Sequence, residues 1–123
     1  MTSRTHQRFE VVVDAQRQKV PVVAVRGEVD IAVVPALELA LDSAIRDSAG
    51  AFVLDLCEVE FLDSSGLHVM LRARALLARE DRALVIVCPP GPVRRLFDDT
   101  GIADLLFLYP SRAEAAAALV PAS

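Results

Sequence analysis

The sequence has few of the residues that mark several common classes of protein. Its 123 residues include no tryptophan, one tyrosine and two cysteines, and aromatic residues make up only 5% of the chain. So few aromatic side chains argue against a stacking surface for single-stranded nucleic acid. The two cysteines, Cys57 and Cys88, lie in separate apolar runs and form no C-x-x-C pair. We therefore expect both to be reduced core residues, without a metal site.

Basic charge and long apolar runs are also scarce. The chain has 13 Lys and Arg against 17 Asp and Glu, a net charge of −4, and no basic block that would bind the phosphates of a nucleic acid. Its longest apolar runs, 83–88 and 115–120, have six residues each, whereas a membrane span needs about 18. The N-terminus shows no apolar segment of a secretory signal. These features predict a cytoplasmic chain that binds neither nucleic acid directly nor a membrane.

The sequence does contain enough apolar residues for a core. Apolar residues make up 54% of the chain and charged residues 24%, which is the composition of a folded protein. A chain of this length suits one domain and buries a core without metal or disulfide staples. We expect a single domain over residues 1–123, with an ordered core over about 9–119.

Hydrophobic periodicity predicts an alternation of strands and helices. Two β-branched stretches around a polar turn at 15–19 indicate an N-terminal hairpin, after which 27–30 is expected to leave the sheet. The further elements are a helix from Pro35 to a stop near Gly50, a strand at 51–56, a helix at 65–79, a strand at 83–88, a helix at 93–99, a strand at 105–108 and a final helix capped by Ser111. The helix at 65–79 is expected to bury Leu67, Met70, Leu71, Ala75 and Ala78. This order predicts an α/β fold, with a mixed sheet of about four to five strands and about four helices.

The segment Asp63-Ser64-Ser65-Gly66 lies where the chain enters the second long helix. Aspartate and serine are preferred at helix N-caps because their oxygens accept hydrogen bonds from the unpaired N–H groups of the first turn. The same position also favours an anion, since a helix N-terminus carries a partial positive charge. A phosphate on a serine there adds about two negative charges without disturbing the fold. The residues alone leave both interpretations open, a simple helix cap or a phosphorylation switch.

Three blocks of sequence together resemble a known family. They are Gly27-Glu28-Val29-Asp30, then Phe61-Leu62-Asp63-Ser64-Ser65-Gly66-Leu67, then Val93-Arg94-Arg95-Leu96-Phe97 with Thr100-Gly101-Ile102. In this order they resemble the STAS-domain family of anti-sigma factor antagonists. The resemblance extends over nearly the whole chain, roughly from Phe9 to Leu119.

The resemblance implies a binding protein without catalytic activity and without a cofactor. In the family, the unphosphorylated domain binds an anti-sigma factor that is also a serine kinase, and this binding frees the sigma factor. The kinase then phosphorylates the domain, and a PP2C-type phosphatase reverses the modification. Matched to this chain, the phosphoacceptor is Ser64, and Asp63 lies beside it in the kinase contact. Asp30 is expected to shape the docking surface, to which Ser65 and Gly66 of the same motif also belong.

One position departs from the family pattern. The residue after Leu67 is often glycine or another small residue in the family, whereas here it is His68. On a helix, Ser64, His68 and Arg72 are spaced by four residues and share one face. This stripe is either a solvated polar face or a pair of side chains, His68 and Arg72, that influence recognition by the partner.

Other functions have weaker support in the sequence. Asp63, Ser64 and His68 are the residue types of a hydrolytic triad, but no G-x-S-x-G elbow is present. Neither glycine-rich phosphate-binding motif occurs, and the single lysine is Lys19. The open alternative is a STAS scaffold or regulatory subunit of a stress-signalling complex that does not act directly on a sigma factor.

Overall fold

Five strands and four helices alternate along the part of the chain described by the computed structural model, residues 9–14 and 20–119. The strands are β1 (Glu10–Asp14), β2 (Val22–Val29), β3 (Phe52–Leu62), β4 (Leu84–Val87) and β5 (Phe107–Tyr109). The helices are α1 (Val34–Arg46), α2 (Ser64–Ala78), α3 (Pro92–Thr100) and α4 (Arg112–Leu119). Two short 3₁₀ turns, Ile31–Val33 and Ile102–Leu105, precede α1 and β5.

The five strands form one mixed sheet in the order of the chain. β1 pairs antiparallel with β2, and every later neighbour pair is parallel. The predicted α/β fold, its mixed sheet and its N-terminal hairpin are therefore confirmed. The predicted turn of the hairpin, residues 15–19, lies outside the described residues.

Each face of the sheet has its own core. On one face, alternate residues of β2, β3 and β4 pack against α1, α2 and α3 and form the larger core. On the other face, the residues between them pack against Ala115 of α4 and form a smaller core. Because helices cover both faces, β4 is buried at every position and β3 over its first five residues. Such double coverage explains the nearly continuous apolar runs of these strands.

The predicted last strand at 105–108 is displaced, because Ile102–Leu105 form a 3₁₀ turn and β5 begins only at Phe107. Two further predicted strand boundaries are wrong, and both lie beside the candidate site. Gly27 does not begin an exit from the sheet, because β2 continues to Val29 and pairs with β3 as far as Leu62. The glycine, with φ +92, instead marks an irregularity in the register. β3 runs on past residue 56 because Glu58 and Glu60 point to solvent while the backbone stays paired.

The predicted burial is wrong at three positions. Ala75 and Ala78 of α2 are exposed, because the helix buries a stripe that starts at its close contact at Gly66. The buried residues of α2 are Gly66, Leu67, Val69, Met70, Ala73 and Leu77. Cys57 is exposed, since a bulge in β3 places two residues opposite Val25 and turns the cysteine outward. Cys88 is buried as expected.

α1 ends at Arg46, before the predicted stop at Gly50, because Ser48 turns back on the last carbonyl oxygens: its hydroxyl donates to Ala44 at 2.7 Å and its N–H donates to Ile45 at 3.3 Å. A side chain distant in sequence then holds the segment that follows. The Arg82 side chain is only 7% exposed and donates hydrogen bonds to the carbonyl oxygens of Ile45, at 2.9 Å, and Gly50, at 2.7 Å. It also donates to the Ser48 hydroxyl at 2.8 Å. Arg82, from the α2–β4 loop, thus adds a donor at the end of α1 and holds the segment 48–50 in place. At α4 the predicted cap is confirmed, because the Glu114 backbone N–H donates to the Ser111 hydroxyl at 3.2 Å.

Candidate functional site

The candidate site lies at one edge of the sheet, where β2 and β3 end side by side. Val29 and Leu62, the last residues of the two strands, are paired in register. The Asp63 backbone N–H still donates to the Val29 carbonyl oxygen, at 3.2 Å. Asp30 and Asp63 therefore follow neighbouring strand ends, so the structure brings together the two aspartates that the sequence motifs single out.

Each of these aspartates caps the element that follows it. Asp63 Oδ1 accepts hydrogen bonds from the backbone N–H groups of Ser65, at 3.0 Å, and Gly66, at 3.4 Å. Asp30 Oδ1 accepts from the Ala32 N–H, at 3.0 Å, and begins the short turn before α1. Extended backbone at both aspartates lets the chain leave a strand and enter a helical turn at once. The capping interpretation of Asp63 is thus correct, and it fixes the position of the residues after it.

The two serines of the motif differ in accessibility. Ser65 is half-buried, and its hydroxyl donates a short hydrogen bond to Asp63 Oδ1. Ser64 is the first residue of α2, is exposed, and makes no side-chain hydrogen bond to any residue in the described ranges. Of the two hydroxyls, only that of Ser64 is both uncommitted and open to a second protein.

Gly66 allows α2 to start close to the strand ends. A Cβ atom built on Gly66 would lie 2.4 Å from Leu62 Cδ1 and 3.0 Å from Val29 Cγ1. Since both neighbours are buried core residues, the motif glycine holds the start of α2 against the ends of β2 and β3. Its role in the structure is therefore steric, and it places Ser64 at the surface of this edge.

His68 and Arg72 lie along the exposed side of α2, as the helical spacing predicts. Arg72 is already engaged, because its two terminal nitrogens donate to the two Asp42 carboxylate oxygens at 3.0 and 2.9 Å. These hydrogen bonds raise the pKa of Arg72 and tie α2 to α1. Only His68 of the two is left without a hydrogen bond to another described side chain.

The arrangement does not form a hydrolytic triad. Asp63 Oδ1 accepts its hydrogen bonds from the first turn of α2, and no hydrogen bond joins Asp63 to His68 in the described part of the chain. Among the described residues, no hydrogen bond joins Ser64 to His68. A triad needs both contacts, so the geometry gives Ser64 no activating base.

Two exposed apolar side chains border the site, and the sequence analysis did not single them out. Ile31, next to Asp30, is 74% exposed, and Phe61, two residues before Asp63, is 49% exposed. Large apolar side chains in exposed positions next to polar groups are typical of surfaces that bind other proteins. The available signal was their position, since Ile31 directly follows the first aspartate-containing block and Phe61 begins the second.

The two cysteines are not reactive thiols at neutral pH. Burial raises the pKa of Cys88 to about 11, and partial desolvation together with the Asp55 carboxylate raises that of Cys57 to about 12. Both thiols therefore stay protonated at neutral pH, whereas the thiolate is the nucleophilic form. No group of three or more His, Cys, Asp or Glu side chains in residues 9–14 and 20–119 is placed to hold a metal ion. None of the helices in those ranges has the length and apolar character to cross a bilayer.

Comparisons with known proteins agree with this geometry. A family model of the STAS domain matches residues 12–115. The anti-sigma-B factor antagonist of Staphylococcus aureus is 33% identical over 84 residues, which are 68% of this chain and 78% of the relative. The crystal structure of an anti-sigma factor antagonist from Mycobacterium paratuberculosis has 34% identity and a TM-score of 0.83, over 91% of this chain and 94% of that one.

More distant structures share the fold alone. The anti-sigma factor antagonist SpoIIAA in its unphosphorylated form is 19% identical with a TM-score of 0.72, over 91% of this chain and all of that one. The Bacillus cell fate determinant SpoIIAA in its phosphorylated form is 17% identical with a TM-score of 0.67, over 90% of this chain and all of that one. The matched range 12–115 contains the candidate site and its supporting strands. This chain belongs to the STAS-domain family.

Proposed function

We propose that this chain is a cytoplasmic anti-sigma factor antagonist controlled by phosphorylation of Ser64. In its unphosphorylated form it binds an anti-sigma factor with serine kinase activity, and this binding releases the sigma factor. The observation that carries the proposal is the exposed, uncommitted hydroxyl of Ser64 at the edge where Asp30 and Asp63 meet. The names of the relatives support the same function.

The surface around Ser64 has the composition of a protein-binding site. Ile31 and Phe61 offer exposed apolar area, and Asp30 and Asp63 supply negative charge beside it. Apolar anchors exclude water from a contact, whereas charged neighbours select a partner of complementary charge. We infer that the anti-sigma factor presents an apolar patch with basic or hydrogen-bond-donating groups around it.

Phosphorylation changes this surface without changing the fold. The phosphoryl group adds about two negative charges next to two carboxylates, at the centre of the proposed contact. A partner that docks there would have to desolvate this strongly hydrated group. A loss of about 3 kcal/mol in binding free energy weakens a complex roughly a hundredfold, which is enough to exchange partners.

The partner proteins catalyse both chemical steps of the proposed cycle. The kinase transfers the γ-phosphoryl group of ATP to Ser64 Oγ, and a PP2C-type phosphatase later hydrolyses the phosphoserine. This chain contributes an acceptor hydroxyl held at an accessible helix start, with no catalytic group or cofactor of its own. The ordered cap at Asp63 keeps that hydroxyl in a defined place for both enzymes.

The test compares Ser64 with its neighbour. The chain and its Ser64→Ala and Ser64→Asp variants are used to capture partners from a lysate of the source organism. Retention of a serine-kinase ATPase by Ser64→Ala and its loss from Ser64→Asp supports the proposal. The purified kinase, with ATP, is then expected to phosphorylate the unmodified chain and a Ser65→Ala control but not Ser64→Ala. Equal capture by the two Ser64 variants would refute the switch and favour the scaffold function instead.

A further inference from the structure

We propose that His68 is the intramolecular partner of the phosphate when Ser64 is phosphorylated. This inference rests on the proposed function, because it takes Ser64 as the phosphoacceptor. It assigns a role to the one residue of the motif that departs from the family pattern.

Helix geometry directs His68 towards Ser64. Both residues lie in α2, four positions apart and exposed, so they are neighbours on one face with Cβ atoms about 6 Å apart. Side chains on a helix lean towards its N-terminus, which carries the imidazole back over the preceding turn. A phosphate extends the Ser64 side chain outward and shortens the remaining gap.

Two backbone donors and one cation near Ser64 that could receive the phosphate already have partners. The N–H groups of Ser65 and Gly66, which a helix start would offer to an anion, donate to Asp63 Oδ1. Arg72, the next cation along the stripe, is held by two hydrogen bonds to Asp42 of α1. His68 is therefore the side chain on this face of α2 that is positioned for the phosphate and not already bonded.

The surrounding charges determine the direction of the effect. Asp63 and Asp30 lie at the strand ends beside Ser64, and α1 brings Asp42 and Glu38 to the Arg72 end of the stripe. A phosphate added among these carboxylates is repelled, and a protonated imidazole one turn away offsets part of that repulsion. Histidine is the side chain that ordinarily gains its charge between pH 8 and pH 5. A phosphoserine loses its second negative charge near pH 6, so the attraction between an imidazolium and a phosphate is greatest at about pH 6–7 and weakens above and below it.

The experiment installs phosphoserine at position 64 during translation, so it does not depend on any kinase. The second ionisation of the phosphate is followed by ³¹P NMR against pH in the full chain and in its His68→Gln and His68→Lys variants. A cation nearby favours the dianion, so His68→Gln is expected to raise the ionisation midpoint by about 0.3 pH unit. His68→Lys, with a cation at the same place, is expected to keep the midpoint at or below that of the unsubstituted phosphoprotein.

Arg74→Gln is the matched control for net charge. Arg74 is an exposed cation of the same helix, ten residues beyond Ser64 and about 15 Å away along the axis, which exceeds the screening length at physiological salt. Its loss is expected to leave the midpoint unchanged. Equal midpoints for the unsubstituted phosphoprotein and His68→Gln would overturn the inference, and so would an equal shift in Arg74→Gln. Either result would leave the role of Ser64 as acceptor intact, because that role is tested by the kinase reaction.

Discussion

Replacement of Gly66 by alanine tests whether the motif glycine is required for the close approach of α2 to the strand ends. The new Cβ would lie 2.4 Å from Leu62 Cδ1 and 3.0 Å from Val29 Cγ1, well inside ordinary contact distance. Leu62 is buried, so its side chain cannot swing into solvent to make room. Alanine favours a helix over glycine by about 1 kcal/mol, whereas overpacking a core costs about 1–3 kcal/mol. The difference is about 0–2 kcal/mol, so we expect a net loss centred on about 1 kcal/mol in the free energy of unfolding.

A double-mutant cycle in urea separates this clash from a general effect of the substitution. Leu62→Val removes the clashing Cδ1 atom and by itself costs about 1 kcal/mol, as for other shortened core side chains. The combined Gly66→Ala, Leu62→Val protein is expected to be more stable than the sum of the single effects by at least about 0.5 kcal/mol. Additive losses, or a Gly66→Ala protein as stable as the unsubstituted one, would refute the steric role of Gly66.

Substitutions at three further residues test the contacts that hold the site and its supports. Asp63→Ala is expected to lower the free energy of unfolding, measured in urea, by about 1 kcal/mol. Asp63→Asn is expected to lower it by much less, since asparagine keeps the capping oxygen. Equal losses for the two variants would show that the charge of Asp63 matters rather than its capping oxygen. Arg82→Met is expected to cost about 1–2 kcal/mol in the same assay, because it removes the hydrogen bonds that Arg82 donates to the Ile45 and Gly50 carbonyl oxygens, and a loss under about 0.5 kcal/mol would contradict this. Arg112→Ala is expected to cost about 2 kcal/mol at pH 7, because it removes the ion-pair partner of the buried Asp55. Burial raises the pKa of Asp55, but hydrogen bonds from Cys57 and the Arg112 ion pair outweigh burial and lower that pKa. The stabilisation that the ion pair gives to the folded chain is therefore present above about pH 4, and it is lost as the pH falls through the pKa of Asp55 in the folded state. A cost for Arg112→Ala that persisted below that range would contradict the assignment.

Much of the fold was predictable because its signals are local. The helical spacing of α1 and the apolar runs of β3 and β4 follow from which residues are buried, and buried residues follow periodicity. The Asp63 cap was also predictable, since the side-chain oxygen and the N–H groups that it accepts from lie within three residues of each other.

The features that were missed depend on contacts between distant parts of the chain. The segment after α1 is held by Arg82, which is more than 30 residues away in sequence. The outward turn of Cys57 follows from a bulge whose position is fixed by pairing with β2. The ion pair between Arg72 and Asp42 could not be predicted from the sequence, because it depends on how α1 and α2 pack against each other.

The most direct test of the account is the affinity of the purified anti-sigma factor for the chain with and without phosphate on Ser64. The partner is titrated into the unmodified protein, the protein with phosphoserine installed at position 64, and one with phosphoserine at position 65 as the neighbouring control. We expect tight binding of the unmodified protein and an affinity about a hundredfold lower, or lower still, when Ser64 carries the phosphate. Equal affinities for the unmodified and the Ser64-phosphorylated proteins would contradict it.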